Sequence, residues 1–403
     1  MIRSKKKHYQ YSSLFYSFSA ICFFLLFLGA CTENKTEDEV SSIIQEIKEA
    51  YAPDKRVAIW DIQAEGNQIT GETDQPEALE ELKNSLNEIK YSGKISVKML
   101  PESDLGEETQ AVVTISVANI RSAPKHSAEL ATQALMGTPV KVLKKEGGWY
   151  LIQTPDGYIS WVDAAGIAIK NKTAFADWQQ SKKIIFTELN GFVFAAQEKQ
   201  SWISDLVAGN ILEVLEESKG MYRVMTPDGR EGWIPSTQAM DFEDWKNSRD
   251  LNADNLINTA KSMMGSPYLW GGTSIKGIDC SGFTKTVFFL NGQVIPRDAS
   301  QQIHEGDLVD DNQDWSKLEV GDLLFFGEKA TADRKERIIH VGMWIGNNSF
   351  IHSRGLVRIS SFDPESPDYD EYELNRYLRT KRVIGKDNPN ITSVENTLKF
   401  PTL

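Results

Sequence analysis

A thiol and two imidazoles are the groups in this chain best placed to do chemistry. Cys280 lies in SPYLWGGTSIKGIDCSGFTKTVFFL, residues 266–290, where glycines and turn formers crowd ahead of it and an apolar run follows. Asp279 stands where an N-cap would be, and CSGFTKTVFFLNG reads as a helix ending at Asn291-Gly292. A cysteine in that first turn meets unpaired backbone N–H groups and the positive end of the helix dipole. Both lower its pKa and favour thiolate, the reactive form. The same N–H groups can stabilise an oxyanion on an attacked carbonyl. Positions 283, 287 and 290 make the apolar face, and Cys280 is expected to stand apart from Phe283 and Val287. Gly271, Gly272 and Gly277 would let another backbone approach this point.

A cysteine nucleophile needs a base, usually histidine, and a third group to hold that base. Of the five histidines, His8 belongs to the N-terminal leader, His126 to a β-rich repeat and His304 to a polar loop. His340 and His352 remain, in RIIHVGMWIGNNSFIHSRG, which reads as an apolar strand, a turn at Gly346-Asn347-Asn348 and a returning strand. They stand almost symmetrically about the turn and are expected to face each other within a residue or so of register. Paired histidines can also be half of a zinc site. No third or fourth ligand stands at suitable spacing, so no metal and no other cofactor is expected.

These groups need a scaffold and a compartment. The chain has three cysteines, Cys22, Cys31 and Cys280. Its start carries a basic stretch (Arg3, Lys5, Lys6, Lys7) and an apolar run from Leu14 to Leu28, a secretory signal pattern too short for an ordinary membrane span. With Cys22 removed and Cys31 modified, Cys280 would have no partner for an intrachain disulfide. The net charge of −13, from 57 acidic and 44 basic residues, argues against a nucleic-acid partner. TENKTEDEVSSIIQEI, from residue 32, passes from an acidic tether into a helical pattern. RVAIWDIQAEGNQITGET then reads as two strands around a turn, and QPEALEELKNSLNEI as an amphipathic helix. The middle is duplicated: GGWYLIQTPDGYISWV (147–162) aligns with SKGMYRVMTPDGREGWI (218–234) at an offset of 72, and FADWQQSKK and FEDWKNSRD echo each other afterwards. Short β-rich runs between Pro-Asp-Gly turns suit two small tandem barrels.

Resemblance adds to this reading. Leu28-Gly29-Ala30-Cys31 resembles a bacterial lipobox, which implies lipidation of Cys31 and a lipoprotein anchored to a membrane, most naturally the outer membrane facing the periplasm. VANIRSAP through GYISWV resembles bacterial SH3-like domains of cell-wall enzymes. PYLWGGTSIKGIDCSGF, PRDASQQ, GDLLFF, HVGMWIG and FIHSRG occur in the order found in the NlpC-type cell-wall cysteine peptidases. The whole chain looks like a γ-D-glutamyl-L-diamino-acid endopeptidase of the murein-peptide-recycling type. That implies a multidomain chain: a signal peptide over 1–30, a tether and small α/β unit over 31–110, a first SH3-like barrel over 111–168, and a linker with a second over 169–245. A papain-like α+β peptidase domain follows over 246–386, then a tail over 387–403.

The resemblance makes Cys280 the nucleophile, His340 the base and His352 the residue orienting it. It places Tyr268, Asp279, Ser281 and Ser300 against the stem peptide. Tyr158 and an acidic residue, for which Glu129 is the candidate, would recognise the free amine of an N-terminal L-alanine. The partners implied are murein peptides or peptidoglycan and, through lipidated Cys31, a membrane; the chain is expected to be a monomer. GEKATADRKER before His340 is longer than the family usually has. Competing readings are a hydrolase of intact peptidoglycan that uses the barrels as wall-binding modules, a non-catalytic wall-binding lipoprotein, and an amidase of the same superfamily.

Overall fold

The chain divides at Leu100/Pro101 into two units. The computed structural model describes residues 37–385, 388 and 390–399. The expected signal peptide and lipobox, with His8, Cys22 and Cys31, and positions 387, 389 and 400–403 of the tail fall outside those residues. Among the described residues no helix is long and apolar enough to cross a membrane.

In the first unit residues 37–51 are helical. Val40, Ile44 and Ile47 recur at helical spacing and are buried. Strands Trp60–Glu65 and Gln68–Thr73 form a hairpin across Gly66 and Asn67. Helix Pro76–Glu88 buries Ala78, Leu79, Leu82 and Leu86 and then crosses over to a third strand, Lys94–Met99, which pairs parallel with Gln68–Thr73. The third strand is absent from the sequence reading. Its residues, KISVKM, alternate polar and apolar, the period of a strand, and Val97 and Met99 pack against the core, so the signal is there and the sequence reading misses it.

In the second unit, two seven-stranded antiparallel sheets follow each other. The first is built from Gln110–Val113, Val117–Arg121, Leu130–Leu135, Pro139–Glu146, Trp149–Gln153, Ile159–Asp163 and Ile167–Lys170; the second runs from Lys183–Phe186 to Ala239–Asp241. Numbering the strands of each by chain order, both have the spatial order 7-1-4-5-6-2-3. The shared TPDG turns are atomically alike. Thr154 and Thr226 each donate Oγ1 to the aspartate two residues on at 2.5 Å, and Gly157 and Gly229 hold φ of +84° and +89°. Each sheet is followed by a short helix, Lys172–Gln180 or Phe242–Asn247, that buries a Phe-x-x-Trp pair. Those pairs, Phe175/Trp178 and Phe242/Trp245, are the sequence echo seen after each copy.

The last part sets helix Cys280–Leu290 against a six-stranded antiparallel sheet. Its spatial order is Asp307–Asp310, Tyr377–Arg382, Leu323–Glu328, Arg337–Gly346, Ser349–Arg354 and Leu356–Ser361. Phe283 and Val287 of the helix pack with Phe325, Val341, Met343, Ile351 and Val357 of the sheet. The opposite face holds a second apolar cluster of Phe326, Trp344, Phe350, Phe362 and Tyr377. The central strands Leu323–Glu328 and Arg337–Gly346 are therefore covered on both sides, and LLFF and VGMWI within them read as near-continuous apolar runs.

The first barrel-like sheet docks directly on the loop leading to Cys280. Gln133 accepts from the Thr273 N–H at 2.9 Å, and Asp156 forms a buried ion pair with Lys285 of the cysteine helix. At Gly271 the two backbones come close. The glycine holds φ +80°, and a Cβ there would lie 2.3 Å from the Leu130 carbonyl oxygen. Gly271→Ala is expected to cost about 1–3 kcal/mol of stability in urea unfolding, the usual range for overpacking. An unchanged midpoint would mean the contact is dispensable.

Candidate active site

Asp279 caps the cysteine helix as its position suggests, and it does more than cap. Its Oδ1 accepts from the Gly282 N–H at 2.7 Å, while Oδ2 accepts from the Gly271 N–H at 2.8 Å. Both oxygens also take a fork of bonds from Arg297: Nη2 to Oδ2 at 2.6 Å and Nη1 to Oδ1 at 3.1 Å. Arg297 is only 1 % exposed. Its Nη1 reaches Ser281 Oγ at 3.0 Å, and its Nε reaches Thr132 Oγ1 of the first barrel-like sheet at 3.0 Å. A bidentate pairing with two further hydroxyl acceptors is how a buried charge pair becomes tolerable. Arg297 lies within the PRDASQQ segment, yet the sequence reading gave it no role. Its signal was a cation in a run ending in Val294-Ile295-Pro296, where a solvated arginine is out of place.

Cys280 is buried, and its thiol is pushed up to about 12. Burial is the largest cause and the Asp279 charge comes next; the Val341 and Ser281 N–H groups and Arg297 pull the other way and lose. This overturns the expectation of a lowered pKa. A helix end cannot offset loss of water together with a carboxylate one residue away. The expectation that Cys280 stands apart from the apolar face is overturned as well. Residues 280, 283 and 287 follow i, i+3, i+7 spacing and share one buried cluster.

His340 and His352 come together, although not in the register expected. Met343 pairs with Ile351 and Trp344 with Phe350, which sets Gly342 opposite His352 and leaves His340 two residues away on the same face. The pairing of the two histidine strands shifts register between Trp344 and Gly346, and the bare Gly342 leaves room for the rings to meet diagonally. A Cβ at Gly342 would lie 3.2 Å from His352 Cβ. His340 Nε2 and His352 Nδ1 are 2.7 Å apart, and His352 Nε2 lies 3.0 Å from Ser360 Oγ. Burial is the main cause that holds His340 well below its ordinary value and brings His352 down to about 3; nearby arginines add to both shifts. Both rings are therefore neutral at pH 7. The thiol sits against the backbone N–H of Val341, the residue after His340.

Among the described residues, Glu373 joins the two histidines to make three potential ligand atoms within 4.8 Å of one another. No spacing rule could have found it, since it arrives on the short helix Glu371–Asn375. The donor set does not suit an ion. Arg376 already binds both Glu373 oxygens, at 2.6 and 2.8 Å. The two ring nitrogens are a hydrogen bond apart, closer than the roughly 3.3 Å that tetrahedral zinc would impose.

Tyr268 is half-buried beside Cys280 and Asp279, and burial followed by those two charges raises its pKa. Ser281 is buried under Arg297. Ser300 sits half-buried on the one-turn helix Ala299–Gln302, which Gln302 ties to the cysteine helix through the Ser281 carbonyl at 3.0 Å. Tyr158, at the tip of the first TPDG turn, is buried near Arg297. Glu129 is exposed and accepts from Trp270 Nε1 at 2.7 Å. Trp270 is itself 61 % exposed and was not among the residues singled out. His126 lies elsewhere, exposed beside Asp163.

Residues 265–376 match the NlpC/P60 family, and residues 116–168 match the bacterial SH3 domain. A gamma-D-glutamyl-L-lysine dipeptidyl-peptidase of Bacillus cereus is 33% identical over 261 residues, covering 62% of this chain and 76% of that protein. Dipeptidyl-peptidase 6 of Lysinibacillus sphaericus is 28% identical over 279 residues, covering 64% of this chain and 94% of that one. The crystal structure of an NlpC/P60 family protein from Bacillus cereus aligns with a TM-score of 0.56 at 27% identity, covering 68% of this chain and 99% of that one.

Only thiolate alkylates, so a thiol held near 12 has a clear kinetic signature. In the absence of substrate, iodoacetamide labelling of Cys280 is expected to speed up about tenfold per pH unit from pH 6 to pH 9 without levelling. A plateau between pH 5 and 7 would instead reveal a preformed thiolate.

Proposed function

Since the chain belongs to the NlpC/P60 family of cysteine peptidases and carries a bacterial SH3 domain, we propose that it cuts murein stem peptides between γ-D-glutamate and the L-diamino acid, meso-diaminopimelate or lysine. The preferred substrates are released peptides with a free N-terminal L-alanine, which makes the reaction a step of cell-wall peptide recycling. In this reading the second seven-stranded sheet is a second SH3-like barrel, and the helix-on-sheet portion is a papain-like α+β domain.

The observation that carries the reading is the Trp270–Glu129 hydrogen bond. It holds a carboxylate from the barrel at the mouth of the loop that leads to Cys280. Tyr158 comes from the same barrel toward Arg297 and the capped end of the cysteine helix. A carboxylate there favours an ammonium group over an acylated nitrogen, and the barrel bars a chain that continues past the alanine. Tyr268, Asp279, Ser281 and Ser300 line the glutamyl side.

Cys280 attacks the γ-glutamyl carbonyl as its proton passes to His340. The C–N bond breaks, and His340 gives that proton to the departing amine. It then takes one from water, which cleaves the thioester and restores the thiol. With thiol and imidazole both neutral at rest, the ion pair forms only as substrate displaces water from the site. His352 holds the His340 ring in place.

A second reading, action on intact peptidoglycan, draws support from Trp202 on the second sheet. It is 61 % exposed with its ring 5.0 Å from that of Phe192, an open aromatic surface of the kind that stacks on sugar rings. Mass spectrometry separates the two. L-Ala-γ-D-Glu-L-Lys and its meso-diaminopimelate counterpart are expected to release L-Ala-D-Glu with the wild-type enzyme but not with Cys280→Ala. N-acetylation of the alanine should reduce turnover by about a hundredfold or more. Equal cleavage of acetylated peptide, or release of peptides from purified sacculi, would favour the second reading.

The same proposal anchors the enzyme through a lipid on Cys31, in the outer membrane facing the periplasm, as a monomer. Cells given a palmitate analogue should label the wild-type chain and not Cys31→Ala; equal labelling of both would remove the anchor from the proposal.

A further inference from the structure

Beyond His352 the hydrogen bonds continue. Ser360 Oγ, 3.0 Å from His352 Nε2, is also 3.0 Å from Asp370 Oδ2. Asp370 is buried and ion-paired: Arg354 Nη1 lies 3.3 Å from both of its oxygens and Arg358 Nη2 lies 3.2 Å from Oδ2. It also caps the Glu371–Asn375 helix by accepting from the Glu373 N–H at 3.1 Å. Four side chains thus form an unbroken line, His340, His352, Ser360 and Asp370, drawn from three neighbouring strands and the cap of one helix.

The direction of the protons along that line follows from its far end. A carboxylate paired with two guanidinium groups has no proton to give, so Ser360 donates to Asp370. A hydroxyl has a single proton, so Ser360 meets His352 as an acceptor and His352 Nε2 carries hydrogen. A neutral imidazole protonated at Nε2 offers a lone pair at Nδ1, which then accepts from His340 Nε2 across 2.7 Å. His340 is left with its lone pair on Nδ1. The reverse polarity would point the Ser360 proton at His352 and leave two lone pairs facing each other at the carboxylate. That would forfeit a charge-assisted bond, about twice as strong as a neutral one. Glu373 does not compete for the His340 proton, because its nearest oxygen is 3.9 Å away and it is held by Arg376 and Arg354.

We propose that Ser360 and Asp370 are positioning residues that lock both histidines in the Nε2–H tautomer, so that the basic nitrogen of His340 is Nδ1. The proposal rests on the reading of His340 as the base. It adds residues that the sequence reading did not single out, and neither touches substrate. Asp370 acts on the site electrostatically, at a distance of three hydrogen bonds. It needs no protonation of its own during turnover.

Ring-nitrogen shifts of the 15N-labelled wild-type protein at pH 7 test the polarity directly. Two Nε2–H tautomers are expected, whereas an Nδ1–H signal from His340 or His352 would overturn the proposal. Ser360→Ala should release His352 into a mixture of tautomers and lower kcat about ten- to a hundredfold, with KM for L-Ala-γ-D-Glu-L-Lys nearly unchanged. Ser360→Thr, which keeps the hydroxyl, should recover most of the loss. Full activity and an unaltered His352 tautomer in Ser360→Ala would also overturn it. Should Ser360→Ala fail to fold, the wild-type spectrum alone decides. Loss of the underlying reading has a different signature: Nε2–H tautomers as expected, together with full activity in Cys280→Ala.

Discussion

Arg297 carries a charge into a place almost closed to solvent, and Asp279 is what makes that tolerable. Taking one member away would leave the other uncompensated, at a cost of about 3–5 kcal/mol. That pair ties the first turn of the cysteine helix to its surroundings. Asp279 fixes the Gly282 and Gly271 amides, and Arg297 fixes Ser281 and reaches Thr132 across the domain boundary. Helix cap, glycine loop and barrel are thereby joined at one ion pair. The pair also has an electrostatic cost for the neighbouring residue, because the Asp279 charge adds to burial in keeping the Cys280 thiol protonated.

The elements that local chemistry dictates were legible in the residues. An aspartate before CSGF marks a cap, the Gly-Asn-Asn turn marks a hairpin, and the repeated TPDG marks a duplicated turn; each depends on neighbours within a few positions. Burial of the helix on nearly every side was not legible, and it undid two expectations about Cys280, since a dipole argument takes no account of how much water remains. The histidine register shifted for a similar reason. The irregularity between Trp344 and Gly346 is decided by packing between strands, and symmetry about a turn does not reveal it. Ser360, Asp370 and Glu373 went unassigned although several of their partners stand only 3 to 12 positions away, because strand pairing and a helix cap, not a spacing rule, bring them together. Arg297 went unassigned because its partners lie farther off. Arg297 bonds to residues 18 and 165 positions away.

Thiol and imidazoles at rest share one feature, neutrality. Burial pushes the acid up and the bases down, and in each case it is the largest cause. A site arranged in this way stores no charge separation in the folded protein. The surrounding arginines, Arg354, Arg358 and Arg376, are ion-paired with Asp370 and Glu373, and their charge still adds to burial in keeping both histidines neutral. Compensated charge surrounds a thiol and two rings that carry none.

The twin TPDG turns lead elsewhere. Their backbones are set by the same threonine–aspartate bond and the same left-handed glycine, but the residue after the glycine differs. Tyr158 goes toward the peptidase, while Arg230 stitches the two sheets together through the carbonyls of Thr114 and Ile203. The turn therefore works as an interchangeable socket, indifferent to what is plugged into it. One backbone thus serves two ends, with Arg230 fastening one sheet to the other and Tyr158 lying buried near Arg297 beside the cysteine helix.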